Sequence, residues 1–576
     1  MNIILFLEKE IKNILEKLGF SDDVQLSVSN RPDLGDYQYN GCMKLAGTYK
    51  KNPRDIASLI VNELKNTNYF SDVNIAGPGF INMTLSDEIL IKYINQITKD
   101  FKINTYHVDT DETIFLDYGG ANVAKELHAG HLRSPNIGEA IKRLCESVGY
   151  KTISDVHLGD WGRPMGLIIC ELSKRYPDLV FFDKEYDKEY PNVCPVSLQE
   201  LNEIYPYASS RAKEDENYLE EARNFTTRLQ NREKGIYDLW KTFYNLSVDE
   251  IKRVYKLLGC TFDLWDGEMA SLEYIPALLE ILKPYLYESN GAMVMDISKE
   301  DDKKELPPLM VLKSDGSSKY ETRDLATIYK RMKLYNPDEI WYVVDERQAL
   351  NFEQVFRGSY KSGLVSKDTK LCHYGFGTIN GTDGKPFKTR DGGVMQLSTL
   401  IDMVHDEIAK RVVKKLDDNV REDVIEKLTI ATIKYTDLLP YRKTDYIFDP
   451  VKFSSFEGKT GPYILYTLVR CKSILRNNDE IDYKIDIVND NIRDIYVKIV
   501  SLSSELYKAY KNASVNVLCE YLYNLCNLYN KFYNDINISH EEDIKLKKNY
   551  LSLTKLVGYT IENILDLLAI DSVDVM

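Results

Sequence analysis

DYGGANVAKELHAGHLRS, residues 117–134, is the stretch whose reading decides the fold. It follows the apolar run Ile114-Phe115-Leu116, which predicts a buried strand. Gly119-Gly120 break that strand, and residues 132–144 then alternate apolar and polar side chains at helical spacing. A strand, a glycine turn, two histidines three apart and a helix start together suit a nucleotide phosphate site. The helix N-terminus offers free N–H groups and a partial positive charge. His128 and His131 can donate to phosphate oxygens as charge develops, and Gly130 leaves space between them for a flat base or ribose. H-x-G-H alone also fits a satisfied histidine pair at a helix start, so the other parts of a site must be sought along the chain.

At 576 residues the chain is too long for one core, and two to four domains are expected. A hydrophobic content of 44% with 28% charged residues describes an ordinary globular composition. Nine scattered cysteines with no C-x-x-C predict free thiols in a reducing compartment rather than a disulfide framework or a zinc site, and no metal ligands are assigned. MNIILFLEKE lacks a basic leader and an export-length apolar run, and no stretch approaches a membrane span, so a cytoplasmic protein without a membrane partner is expected. The net charge is −15, but residues 1–100 hold 11 basic and 13 acidic groups and residues 421–576 hold 20 and 23. The acidic excess therefore lies in the middle, where it would suit a cationic substrate; a solvated acidic surface is the plainer reading. Near-neutral flanks leave room for basic patches facing a nucleic acid. Monomer is the default expectation.

Three regions follow from the patterning. Residues 1–105 read as an α+β module, with helices over 6–18 and 53–64 and a strand-turn-strand at 73–83. Residues 106–400 alternate strands and helices, which predicts an α/β Rossmann-like domain with a parallel sheet. Within it, a strand at 152–156 runs into His157-Leu158-Gly159-Asp160-Trp161-Gly162, and the polar helices of 171–235 read as an insertion. Residues 293–297 and 309–313 read as antiparallel strands, 323–335 as a helix, and 340–344 as a strand ending at Asp345. From 401 to 576 helical periodicity dominates, over 404–416, 424–439 and 463–475 first, and predicts an all-α bundle.

The string D-Y-x-x-x-N-V-A-K-x-L-H-x-G-H-L-R-S resembles the HIGH-motif block of arginyl-tRNA synthetases, which are class I aminoacyl-tRNA synthetases. Other segments follow in the family's order. GDYQYN (35–40), KNPRDIA (51–57) and AGPGFIN (76–82) resemble the N-terminal module that grips the tRNA elbow, and HLGDWG resembles the second active-site segment. GKPFKTRDGG (384–393) looks like the KMSKS loop in its K-P-F-K-T-R form. TGPYILYTLVRCKSILR (460–476) and Phe532-Tyr533-Asn534 resemble the anticodon-binding helical domain. There are departures: Leu465 stands where the family often has Gln, Asn351 near where it usually has His, and DSVDVM replaces the usual Arg-Met ending.

The resemblance implies roles for residues. Arginine recognition falls to Glu268 and Asp324 for the cationic groups, Tyr320 against the guanidinium, and Asn122, Gln348 and His131 as further contacts. If a helix begins as early as Tyr320, the spacing of four puts Tyr320 and Asp324 on one face. ATP contacts are assigned to His128, Gly130, His131, Gly159, Asp160, Asp345, Lys385 and Lys388. Catalytic stabilisation is assigned to His128, His131, Lys388 and Arg390, with Lys125 compensating for Thr389, which stands where the general motif has its second lysine. Tyr463, Tyr466 and Arg470 share a helical face suited to splayed bases, although a core stripe is the plainer reading for at least one tyrosine.

The implied reaction joins L-arginine to tRNA(Arg) through an arginyl-adenylate, with ATP as substrate and Mg2+ accompanying it. A catalytically silent tRNA-binding paralogue is the alternative from another class. A different HIGH-bearing nucleotidyltransferase would leave the N-terminal module and the helical bundle unexplained.

Overall fold

The computed structural model describes residues 3–29, 33–101, 105–385, 395–412, 416–476, 478 and 484–576. The chain begins with α1 (Ile3–Lys17), β1 (Leu26–Val28), β2 (Tyr37–Tyr39), α2 (Cys42–Tyr49), α3 (Pro53–Lys65), β3 (Phe70–Ala76), β4 (Phe80–Leu85) and α4 (Asp87–Lys99). The strands form an antiparallel sheet in the order β1-β2-β4-β3. Asn52 starts α3 by accepting from the Arg54 N–H at 2.9 Å, with Pro53 pre-set for the first turn.

The central sheet starts with β5 (Thr113–Tyr118), and α5 (Arg133–Val148) crosses to β6 (Lys151–Asp155). Next come α6 (Arg163–Arg175), α7 (Leu198–Glu214), α8 (Glu216–Gln230) and α9 (Lys234–Leu257). Asp215 ends α7 and caps α8, accepting from the Tyr218 N–H at 3.1 Å, so the two helices fold back on each other against α6. After α10 (Ile275–Leu282), β7 (Leu286–Ser289), β8 (Ala292–Met295) and β9 (Leu309–Leu312) make a small antiparallel sheet. α11 (Tyr320–Tyr335) leads back to the central sheet at β10 (Glu339–Val343), followed by α12 (Ala349–Ser362), β11 (Lys370–His373) and β12 (Ile379–Asn380).

The order β11-β10-β5-β6 is parallel throughout. The chain leaves β5 for one side through β6 and returns to its other side at β10. The β5–β10 boundary is therefore the topological switch point, where ligands bind outside the strands' carboxyl ends. Ile114, Phe115, Leu116 and Ile340 are fully buried, as strands covered on both faces must be. The extended segment beginning at Leu264 continues the sheet beyond β6, with the Leu158 N–H donating to Asp266 O at 2.8 Å.

The remainder is helical: α13 (Leu397–Ala409), α14 (Asp418–Leu438), a short β13 (Tyr446–Ile447) paired with β12, α15 (Pro450–Phe453) and α16 (Gly461–Leu475), then α17 (Arg493–Val500), α18 (Leu502–Lys511), α19 (Asn516–Asp535) and α20 (Ile544–Leu567). The helix expected over 404–416 begins earlier, because Leu397, Leu400, Val404 and Ile408 make one buried stripe. Polar joints lock the regions together. Asp437 of α14 accepts from buried Arg133 at 3.0 Å and from Asn136 at 2.7 Å, both on α5. Asp36, in the GDYQYN segment, accepts from both ends of the Arg493 guanidinium at 3.0 and 2.7 Å and from the Leu85 N–H at 2.7 Å. Asp36→Ala is expected to cost about 2–3 kcal/mol, because it strands a bidentate guanidinium and a backbone donor together. The measurement is the first unfolding transition in urea; an unchanged midpoint would remove the joint from the account.

Candidate active site

Two loops build the site. The loop after β5 and the loop after β6 are stitched by backbone bonds, with Gly159 N–H donating to Ala121 O at 2.9 Å and Val123 N–H to Gly159 O at 3.0 Å. A Cβ on Gly159 would stand 2.4 Å from the Asn122 side-chain oxygen, so any larger residue here would have to displace the Asn122 amide. Ala124 and His157 hold positive φ of 61° and 43°, and Ser247 accepts the Ala124 N–H at 2.9 Å. Ser134 spans the switch point: its hydroxyl accepts from the Gly119 N–H and donates to Val343 O, each at 2.7 Å.

The histidine pair sits where the β5 loop enters a 3₁₀ turn, Ala129–Leu132, ahead of α5. The two rings stack with centroids 3.6 Å apart. Burial pushes His131 down to about 3, with His128 and Lys125 adding to the effect, and the same burial and lysine lower His128. Both rings are therefore neutral at pH 7. His131 Nδ1 accepts from the His128 N–H at 3.0 Å, which assigns its own proton to Nε2. A Cβ on Gly130 would come within 3.0 Å of the His128 ring, so this glycine makes room for the imidazole. Lys125 lies 3.9 Å from the Tyr205 ring centroid, and burial holds its ammonium below the usual lysine range.

The same turn pairs with the chain just after residue 394. Ala129 N–H donates to Met395 O at 2.9 Å, and Leu397 N–H to Leu127 O at 2.8 Å. The preceding root is closed by Gly381 N–H donating to Lys385 O at 2.8 Å. Lys388 and Arg390 lie outside the described residues.

Beyond the stitched loops opens a pocket of about 510 Å³, into which Asn122, Gly159, Glu268, Tyr320, Asp324 and Gln348 all face. Six expected site residues thus converge from five segments. α11 does begin at Tyr320, so Tyr320 and Asp324 share its first turns. Glu268 reaches the pocket because its N–H donates to Leu158 O at 3.0 Å at the end of the sheet extension. Asp324 accepts from Asn351 at 2.9 Å, and burial pushes its carboxyl up to about 6.

Other expected residues stand apart from this pocket. Asp160 is buried and accepts from the Met269 N–H at 3.1 Å, and burial pushes it up to about 6 against that bond. Asp345 caps a 3₁₀ turn, Glu346–Gln348, and pairs with Arg347 at 2.6 Å. In the helical region, Tyr463 is engaged inward, donating to Asn527 at 2.6 Å, whereas Tyr466 is exposed and lies under Arg470 beside Tyr533. Asp574 of the divergent ending pairs with Lys472 of α16 at 2.7 Å.

Sequence reasoning missed the pocket floor. Arg331 of α11 donates to Asp117 at 2.7 Å and to Asp155 at 2.8 Å, and His157 stands 3.8 Å from Asp155, a charge contact rather than a hydrogen bond. Burial opposes a charge on His157, yet Asp155 and Asp117 raise it to about 9. The available signals were carboxylates at the ends of two predicted strands and an arginine on the apolar side of a predicted helix.

A switch-point pocket beside a neutral histidine pair is the arrangement of a class I aminoacyl-tRNA synthetase catalytic domain, and the family model described as "tRNA synthetases class I (R), catalytic domain" matches residues 94–450. Models described as "Arginyl tRNA synthetase N terminal domain" and "DALR anticodon binding domain" match residues 5–85 and 464–576. The chain belongs to the arginyl-tRNA synthetase family. It is 42% identical to the arginine–tRNA ligase of Alkaliphilus oremlandii over 98% of both chains, and 40% identical to that of Agathobacter rectalis over 100% of both. Its fold is that of the arginyl-tRNA synthetases of Plasmodium falciparum (TM-score 0.83, 23% identity, 100% of this chain and 99% of that one) and Thermus thermophilus (TM-score 0.78, 20% identity, 100% of both).

Because burial raises the Asp324 carboxyl from 3.8 to about 6, its charge opposes folding above about pH 6. The penalty fades as the pH falls from about 6 toward 4, where folded and unfolded chains are both protonated. Asp324→Asn is therefore expected to stabilise the ligand-free protein by about 2 kcal/mol at pH 7.5 and by much less near pH 4.5. Thermal unfolding at the two pH values checks this; a variant less stable than the parent at pH 7.5 would contradict it.

Proposed function

We propose that this chain activates L-arginine with ATP and transfers the arginyl group to the 2′-hydroxyl of the terminal adenosine of tRNA(Arg). The observation that carries the reading is the pocket, where Asp324 and Glu268 face one space with Tyr320 at its rim. Two carboxylates beside an aromatic ring suit a molecule with cationic groups at both ends.

In the first step an oxygen of the arginine carboxylate attacks the α-phosphate of ATP, and pyrophosphate leaves. In the second the tRNA ribose oxygen attacks the arginyl carbonyl, and AMP leaves. Neither step requires a protein nucleophile; placement of the reactants and stabilisation of phosphate charge carry both. The neutral His128 and His131 rings supply N–H donors on the phosphate side, next to the roots of the lysine-bearing loop. In this reading Gly130, Gly159, Asp160, Asp345, Lys385 and Lys388 belong to the nucleotide side, Lys125 and Arg390 add positive charge there, and Asn122 and Gln348 complete the arginine side. Magnesium would accompany the nucleotide as its counter-ion. Residues 1–105 serve the tRNA elbow and 401–576 the anticodon, where the exposed Tyr466 with the Arg470 guanidinium beside its ring suits splayed bases. The enzyme works as a cytoplasmic monomer. Its nine cysteines are free thiols, and among the described residues no helix is long and apolar enough to cross a membrane.

Charging of total tRNA with labelled arginine, beside labelled lysine, tests the reading directly. Arginine attachment that requires tRNA and ATP is expected; tRNA binding without attachment would favour the silent paralogue. His128→Ala should lower kcat on the order of 100-fold, the scale of losing one donor to developing charge. Asp324→Ala should raise the KM for arginine by at least about tenfold while leaving that for ATP within about twofold. Equal losses for both substrates would remove Asp324 from its assigned role.

A further inference from the structure

The acids of the arginine pocket are unequally available. Four carboxylates line it: Asp117, Glu268, Glu321 and Asp324. Asp117 is held by Arg331, and Glu321 by Lys319 at 2.9 Å. Glu268 is held by Arg323, whose Nη1 donates to Glu268 Oε2. Asp324 is the one whose bonded partner, the Asn351 amide, is neutral. A ligand with two cationic ends thus meets one acid ready to accept a charge and one already engaged by the chain's own guanidinium.

The seat of Arg323 itself resembles a ligand position. Its guanidinium pairs with Glu268 and lies 5.3 Å from the Tyr320 ring centroid, so it uses two residues assigned to substrate arginine. Both partners are largely withdrawn from water, with 16% of the Arg323 side chain and 18% of the Glu268 side chain exposed. Yet the seat is incomplete, because Arg323 Nε is buried without an acceptor. A guanidinium with an unmet donor is held less firmly than a fully satisfied one, and can be exchanged.

We propose that Arg323 is a specificity-determining residue that occupies Glu268 as an internal guanidinium until a ligand with cations at both ends displaces it. A ligand with one cation gains Asp324 alone and leaves Arg323 in place. A ligand long enough to reach Asp324 and Glu268 together recovers two ion pairs for the one it breaks. The displaced Arg323 is then free to face the negative end of the reactants. This inference rests on the assignment of the pocket to arginine.

The test is calorimetric binding, without ATP or tRNA, of agmatine (guanidinium and ammonium, no carboxylate) and of butylguanidine (guanidinium only). Arg323→Met, which removes the competing charge at similar volume, should tighten agmatine about tenfold and butylguanidine by no more than about twofold. Arg323→Lys, which keeps a cation beside Glu268, should leave agmatine within about twofold of the parent. Arg323→Gln substitutes for the Met variant should the latter fail to fold. Agmatine binding unchanged or weaker in the neutral variant overturns the exchange, and so does equal tightening of both ligands. A parent protein that charges tRNA with arginine but shows no such gain loses this inference alone; one that neither binds nor transfers arginine loses the functional reading beneath it.

Discussion

One buried guanidinium holds the site in register. Arg331, 2% exposed, projects from α11 beneath the ends of two parallel strands and donates through Nη2 to Asp117 on β5 and Asp155 on β6. Its plane lies against Phe115 and Tyr342, with 4.4 Å to the Phe115 centroid. A buried ion pair adds little net stability over an apolar replacement, but removing one partner strands a charge and costs about 3–5 kcal/mol. The geometry it imposes matters more. α11 carries Tyr320, Arg323 and Asp324, so the Arg331 contacts set how the recognition face of that helix meets the sheet.

The same cluster decides which charges remain for a ligand. Asp117 and Asp155 are matched by Arg331 and by a His157 that its acidic neighbours keep protonated, a neutral set under the pocket floor. Asp324 lies outside that set, raised by burial and partnered by an amide. A carboxylate held this way is a liability in the empty protein and an asset when a cation arrives, so the site stores in one residue the cost that binding relieves. On the other side of the switch point the charge logic reverses: stacked neutral imidazoles at a helix start present donors to an anion. In the proposed reading, cation and anion recognition are separated by the loops that Gly159 and Val123 stitch together.

Much of this was legible in the chain. The apolar run at Ile114, the glycine break, the histidines and the helix after them occur as their spacing indicates. So does the antiparallel pair β8–β9, because hydrophobic period and turn chemistry are local properties, whereas α11, read from 323, begins three residues earlier at Tyr320. Of the six residues assigned to arginine, Asn122, Glu268, Tyr320, Asp324 and Gln348 line one pocket, whereas His131 is not among its lining residues. Less legible were residues whose partners lie far along the chain. Asp36 sits in a segment read for tRNA contact, yet it is engaged by Arg493, 457 positions away. Tyr463 and Tyr466 share a helix face by spacing, but only the position of α19 turns the first inward to Asn527 and leaves the second exposed.

The sequence by itself determined the class of each region, the places where strands end in glycine loops, and the set of residue types that chemistry with arginine and ATP requires. Those are matters of period, capping and side-chain chemistry, which act over a few residues. Only the tertiary structure decided which acids are spent and which are available. Glu268, Asp117 and Asp324 are all carboxylates in the sequence. Their difference comes from Arg323 and Arg331 of α11 and Asn351 of α12, brought beside them by the packing of those two helices. Burial and pairing are set by the packed neighbourhood, and they convert residues of one chemical type into a structural anchor, an occupied seat and an open one.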